Sequence, residues 1–172
     1  MDSVRPFPKR KHIRLPHFDY SGVASYSLTI CTHHRICFFG TVVDEQMRPG
    51  PAGEMVERWW LELEQRYDVM LDEYVVMPNH FHGLLLACNQ TGAHAGAPLQ
   101  QIIRWFKTMS TNDYMRHVKE QGWLPFDRRL WQRNFYEHIL RDNVDLVNHQ
   151  QYIRDNPVHW ERDQHNPSFL LS

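Results

Sequence analysis

A chain of 172 residues with 42% hydrophobic and 23% charged positions has the size of one domain able to bury a continuous core. Its formal net charge of -1 excludes a protein that coats nucleic acid through bulk positive charge. Cys31, Cys37 and Cys88 form neither a CxxC zinc pattern nor an even-numbered disulfide framework, no apolar run reaches the roughly 20 residues of a membrane span, and the prolines and basic residues at the start do not read as a secretory segment. The expectation is one soluble, cytoplasmic domain over residues 1–172.

In chain order, residues 1–22 form a Pro-rich basic arm with Lys9, Arg10, Lys11 and Arg14. Residues 24–32 alternate Tyr26, Leu28 and Ile30 with Ser27, Thr29 and Cys31, which predicts a strand. A Pro-Gly-Pro turn at 49–51 opens an amphipathic helix over about 54–67, with Met55, Trp59 and Leu63 on one face. Residues 69–77 and 80–87 read as two strands joined at Pro78 and Asn79, residue types that break a ladder and favour a tight turn.

The Gly/Ala-rich stretch 89–98 reads as a flexible connection, and 99–118 repeats Ile102, Ile103, Phe106 and Met109 at helical spacing. Residues 130–139 alternate as a strand, and 142–155 run as a helix until Pro157. Residues 158–172 are read as a C-terminal tail. The expected class is α+β: a ferredoxin-like β-α-β-β-α-β antiparallel sheet with both helices on one face, followed by a C-terminal helix.

Chemistry concentrates in two places. His80 and His82, two positions apart in a strand, point the same way while Phe81 faces the opposite layer, so the pair offers half a metal site, although histidines satisfied by hydrogen bonds outnumber ligands and the pair alone is a weak signal. On the last helix Tyr152 and Asn156 stand one turn apart, able to bring a phenol and an amide oxygen to one point. Spacing alone favours the plainer reading, a half-buried aromatic and a helix-terminal asparagine before proline.

The strings Val76-Met77-Pro78-Asn79-His80-Phe81-His82-Gly83, Leu130-Trp131-Gln132-Arg133-Asn134-Phe135-Tyr136-Glu137-His138 and Gln151-Tyr152-Ile153-Arg154-Asp155-Asn156-Pro157 resemble the REP-associated tyrosine transposases, a branch of the single-tyrosine HUH transposases. Arg14-Leu15-Pro16 through Thr29-Ile30-Cys31-Thr32 is similar as well, so the likeness spans nearly the whole chain. The resemblance implies an enzyme that binds single-stranded DNA next to hairpins and cleaves it with Mg2+ or Mn2+. It assigns the metal to His80, His82 and Asn156 and the nucleophile to Tyr152, which places the nucleophile on the C-terminal helix. It also implies a monomer, with a dimer as the other arrangement in related transposases. Tyr136, flanked by Glu137 and His138, is the rejected nucleophile, since its strand offers no amide one turn away; with Trp131 it is expected to pack the sheet or line the DNA path.

Two neutral imidazoles and an amide give a hard cation no formal negative charge, so metal and DNA are expected to bind cooperatively, with Glu73 or Asp155 as acidic residues available to join. Phosphate contacts are expected from Lys9, Arg10, Lys11 and Arg14, and from Arg104, Lys107 and Arg133. Three readings compete. A His-x-His barrel hydrolase needs about 250 residues, and a zinc site gains little from an amide ligand without a nearby cysteine. A hairpin or single-stranded DNA-binding module without productive cleavage remains the rival.

Overall fold

The computed structural model describes residues 24–87 and 99–168. The basic arm with Lys9, Arg10, Lys11 and Arg14, and the connection at 89–98, lie outside the described residues. Strand β1 is Ser25–Cys31. A hairpin follows, formed by β2 (Gly40–Val43) and β3 (Gln46–Pro49), then α1 (Pro51–Leu61) and a one-turn extension α2 (Leu63–Arg66). Strands β4 (Val69–Val76) and β5 (His80–Ala87) precede the long α3 (Leu99–Gln121), β6 (Tyr136–Ile139) and α4 (Asn143–Asp155).

The main sheet has the order β4-β5-β1-β6 with every neighbouring pair antiparallel. With the β2-β3 hairpin set aside, this is the ferredoxin-like order expected from the sequence. Alternation divides each strand between two layers. Phe81 and Leu85 of β5, with Leu28 and Ile30 of β1, join Trp60 of α1 and Phe106 of α3 in the principal core. Burying each such side chain contributes roughly 1.5–3 kcal/mol. Trp60 lies against Phe81 with ring centroids 4.6 Å apart, and Gly83 makes this approach possible: a Cβ there would meet both rings within 2.8 Å. Asp113 of α3 ties the two helices by accepting from Arg58 (2.7 Å) and Trp59 (2.9 Å) of α1.

Helix α4 covers the opposite layer. Its Leu146 and Ile153 pack on Leu84 of β5, a residue in line with His80 and His82. The His pair is therefore sandwiched between the sheet and α4.

Two expectations need correction, and one hairpin has no signal in the sequence. Only 136–139 of the predicted 130–139 strand forms a ladder. Upstream, Trp131 makes a single bridge to Thr32, and Leu130 and Trp131 turn into the principal core, so burial overrides the alternating pattern. The β2-β3 hairpin went unread because its turn, Asp44-Glu45, has two positive φ angles (51° and 58°) without the usual Asn-Gly signature. Finally, 158–168 is no loose tail: after the turn at Trp160–Arg162 it runs beside the His pair, and Trp160, His165 and Asn166 are buried.

Candidate active site

Strand β5 delivers both imidazoles rigidly. His80 is fully buried and His82 almost so, with ring centroids 4.7 Å apart. Their outer nitrogens are fixed by neighbours. His82 Nδ1 lies 2.8 Å from Thr29 Oγ1, its partner across β1. His80 Nδ1 lies 2.9 Å from Asn79 Oδ1. Asn79 Nδ2 donates its two hydrogens to the carbonyls of Arg35 (2.8 Å) and His165 (2.7 Å), so its Oδ1 can only accept and His80 Nδ1 carries the hydrogen.

Burial pushes the His80 pKa down to about 3, aided by His165 and opposed by Asn156, whose Oδ1 would accept a hydrogen bond from the protonated ring. Burial also holds His82 well below its ordinary value, with His80 adding to the effect and Asp163 opposing it. Both rings are neutral near pH 7. The bare Nε2 lone pair of His80 then faces Asn156 Oδ1 at 3.3 Å, with Asp163 Oδ2 at 3.8 Å, while His82 Nε2 is buried with no hydrogen-bond partner. Two acceptors, His80 Nε2 and Asn156 Oδ1, that face each other without a donor repel unless a cation lies between them. The residues present fit a divalent metal.

Helix α4 places the other two groups. Asp142 caps its start by accepting from the Asp145 amide (2.8 Å), and Leu146 and Ile153 are its only buried members. Gln150 to Asp72 (2.6 Å) and Arg154 to Glu73 (2.9 Å) fasten its flank to β4. Asn156 closes the helix and is buried beside His80, whereas Tyr152 is half exposed, its ring edge-on to His82 at 5.2 Å. Burial raises the Tyr152 pKa, the negative charge of Asp163 raises it further, and a hydrogen bond with Asn156 acts in the opposite sense. The phenol alone is thus a poor nucleophile.

Sequence reasoning missed Asn79, Asp163 and His165. Asn79 was read only as a turn former, and nothing in the order of residues past Pro157 shows that the chain doubles back. Asp163 is the acidic side chain beside His80. Glu73 and Asp155, the two considered from sequence, are engaged elsewhere, by Arg154 and by Gln151 respectively. His165 stands 4.9 Å from the His80 ring, with Nδ1 3.8 Å from Cys31 Sγ; burial pushes that thiol up to about 11.

Tyr136 is on the His face of the sheet, aligned through Thr29 with His82, but is 67% exposed. It packs no core, in contrast to Trp131, which is buried and donates to Ser110 Oγ (2.9 Å). Arg104, Lys107 and Arg133 come together on the α3 side, around a groove of about 590 Å³ that Arg129 also lines. Lys107 donates to the carbonyls of Gln132 (2.5 Å) and Arg133 (2.9 Å), and burial lowers its pKa to about 8, with Arg129 adding to the effect. It fastens the 129–135 loop and faces the groove.

The chain thus has a ferredoxin-like sheet whose His-x-His strand lies under a tyrosine-bearing helix. Residues 23–156 match the family model described as Transposase IS200 like. An uncharacterised protein of Haemophilus influenzae is 33% identical over 165 residues, which is 90% of this chain and 92% of that one. A second Haemophilus influenzae protein, named for the REP-associated tyrosine transposases, is 59% identical over 86 residues, 48% of this chain and 46% of its own length. A solved REP-associated tyrosine transposase bound to a REP hairpin shares the fold, with a TM-score of 0.53 at 18% identity over 78% of this chain and 67% of its own. The chain belongs to the IS200-like transposase family. Among the described residues no helix is long and apolar enough to cross a membrane.

Proposed function

We propose that this chain is a metal-dependent single-stranded DNA endonuclease and strand transferase that acts next to hairpins of REP type through a 5'-phosphotyrosine intermediate. The observation that carries the reading is that His80 Nε2 faces Asn156 Oδ1 at 3.3 Å without a donor between them, next to the partnerless buried His82 Nε2 and the half-exposed Tyr152. These three residues would hold Mg2+ or Mn2+, which when bound supplies charge to polarise the scissile phosphate and stabilise its transition state.

The remaining work falls to the chain. Asn79 and Thr29 orient the two imidazoles, and Asn156 hydrogen-bonds with Tyr152 in the sense that favours its phenolate. Tyr152 Oη forms a bond to phosphorus as the bond to the 3'-oxygen breaks, giving a 5'-phosphotyrosine and a free 3'-hydroxyl. Attack by another strand's 3'-hydroxyl reverses the step and joins DNA without a nucleotide cofactor. Action as a monomer is what the family resemblance implies. Support for hairpin DNA as the partner comes from the REP hairpin bound to a solved structure of the same fold.

The test incubates the full chain with labelled hairpin DNA bearing single-stranded flanks and Mg2+ or Mn2+, and looks for an SDS-resistant adduct. The adduct is expected for the parent and for Tyr136→Phe and is absent for Tyr152→Phe. Tight DNA binding by the parent with no adduct under either metal would leave a binding module in place of the enzyme.

A further inference from the structure

At the other end of α4, away from the His80 and His82 pair, a second group of ligating side chains meets. His138 Nε2 lies 2.8 Å from Asp145 Oδ2, and His149 Nε2 lies 3.5 Å from Asp145 Oδ1. One carboxylate thus takes an imidazole on each oxygen. The ligating atoms of all three lie within 4.8 Å of one another, and the two rings stack at 4.7 Å with an interplanar angle of 16°. We propose that His138, Asp145 and His149 form a second metal site, selective for a borderline cation such as Zn2+, that staples edge strand β6 to the helix carrying Tyr152.

The chemistry of the donors sets the selectivity. Two imidazoles and one carboxylate are a three-ligand zinc set with a fourth position left for water, whereas Mg2+ prefers an all-oxygen octahedron. The outer ring nitrogen of a ligating histidine is ordinarily held by a polar neighbour. His149 Nδ1 meets Ser27 Oγ at 2.9 Å in this way, which leaves Nε2 free to ligate. The Arg141 amide, donating to Asp145 Oδ2 at 3.1 Å, orients the carboxylate. A tetrahedral ion with bonds of about 2.0–2.1 Å needs its ligands about 3.3 Å apart. The required adjustment falls on His138, whose side chain is 45% exposed, while Asp145 and His149 are held on the helix.

A staple here has a mechanical purpose. Helix α4 buries only Leu146 and Ile153, so little apolar area anchors an element that must hold Tyr152 in register. Asp145, His149, Tyr152 and Asn156 follow one another at spacings of four, three and four, on one side of the helix. In the sheet His138 is paired with Ser27, two residues along β1 from Thr29, which contacts His82. The proposed zinc site and the His80 and His82 site are therefore neighbouring stations along one helix-sheet seam. The inference does not depend on the proposed DNA chemistry.

The test titrates Zn2+ calorimetrically into the metal-free full chain, into His138→Asn, and into a His80→Ala/His82→Ala variant. The parent is expected to bind one more equivalent of Zn2+ than His138→Asn, or to bind that equivalent at least tenfold more tightly. Zn2+ should raise the Tm of the parent but not of His138→Asn. If the double variant folds, it retains this equivalent, and adding His149→Asn to it abolishes the binding. Because His138 is exposed, His138→Asn leaves the core intact, and the comparison with the parent stands even if the double variant does not fold. The same stoichiometry and affinity in parent and His138→Asn would overturn the proposal, as would loss of this equivalent in a folded His80→Ala/His82→Ala variant.

Discussion

Asn79 Oδ1 accepts the Nδ1–H of His80 at 2.9 Å, because both hydrogens of the Asn79 amide are taken by the carbonyls of Arg35 and His165. The residue before the first histidine therefore fixes which His80 nitrogen is free to ligate. Asn79→Ala should weaken Mn2+ binding by about 10–100-fold and cost about 1–3 kcal/mol of stability by leaving the two carbonyls and the ring nitrogen unpaired. Calorimetric titration of Mn2+ and urea unfolding read the two effects; wild-type Mn2+ affinity in the folded variant would refute the tautomer argument.

Asp163 Oδ2 lies 3.8 Å from His80 Nε2, so the site is not as electrically neutral as its three donors imply. Asp163→Asn should lower Mn2+ affinity in the free protein and make it depend more strongly on DNA, since the phosphate then supplies the only negative charge. Titrating Mn2+ into Asp163→Asn/Tyr152→Phe and into Tyr152→Phe, each with and without DNA, separates these effects. Equal affinities across all four would remove Asp163 from the metal's environment and dismiss cooperativity as well.

Tyr136 shares the face and the row of His82 and is 67% exposed, a position suited to stacking on a DNA base. Tyr136→Ala should weaken single-stranded DNA binding by about 1–3 kcal/mol, whereas Tyr136→Phe, which keeps the ring, should not. Fluorescence anisotropy with a labelled flank oligonucleotide measures this. If the alanine variant binds as the parent does, Tyr136 faces only solvent.

Buried neutral imidazoles make the fold acid-sensitive. An unfolded histidine takes up its proton near pH 6.5, but His80 resists protonation until about pH 3 and His82 is lowered as well. Each contributes its full stability above the unfolded pKa, and that contribution falls as pH drops, by about 1.4 kcal/mol per unit, until the folded pKa is reached. Urea unfolding at about pH 7 and about pH 5 should show this loss, reduced by one proton's worth in His82→Asn. A pH-independent difference between parent and variant would mean that His82 is not held neutral by the fold.

Much of the site was legible in the chain because its signals are local. The strand period put His80 and His82 on one face, and the helical period put Tyr152 and Asn156 on one side, with no need to know what lay opposite. Trp131 and Tyr136 show where locality fails: both sit in the same aromatic, alternating string, yet Trp131 is drawn into the core by Phe106 and Phe39 while Tyr136 remains at an open sheet edge.

The sequence by itself determined the elements of the main sheet and its two covering helices, the strand order through their β-α-β-β-α-β grammar, and, through the family resemblance, the four residues that meet where α4 crosses β5. Tertiary structure alone decided that Asn79 sets the His80 tautomer, that Asp163 and His165 return from past Pro157 to line the site, and that His138 meets Asp145 and His149. Periodicity is a property of one segment, whereas hydrogen-bond saturation, charge proximity and ligand convergence depend on which segments the core brings within a few ångströms of one another.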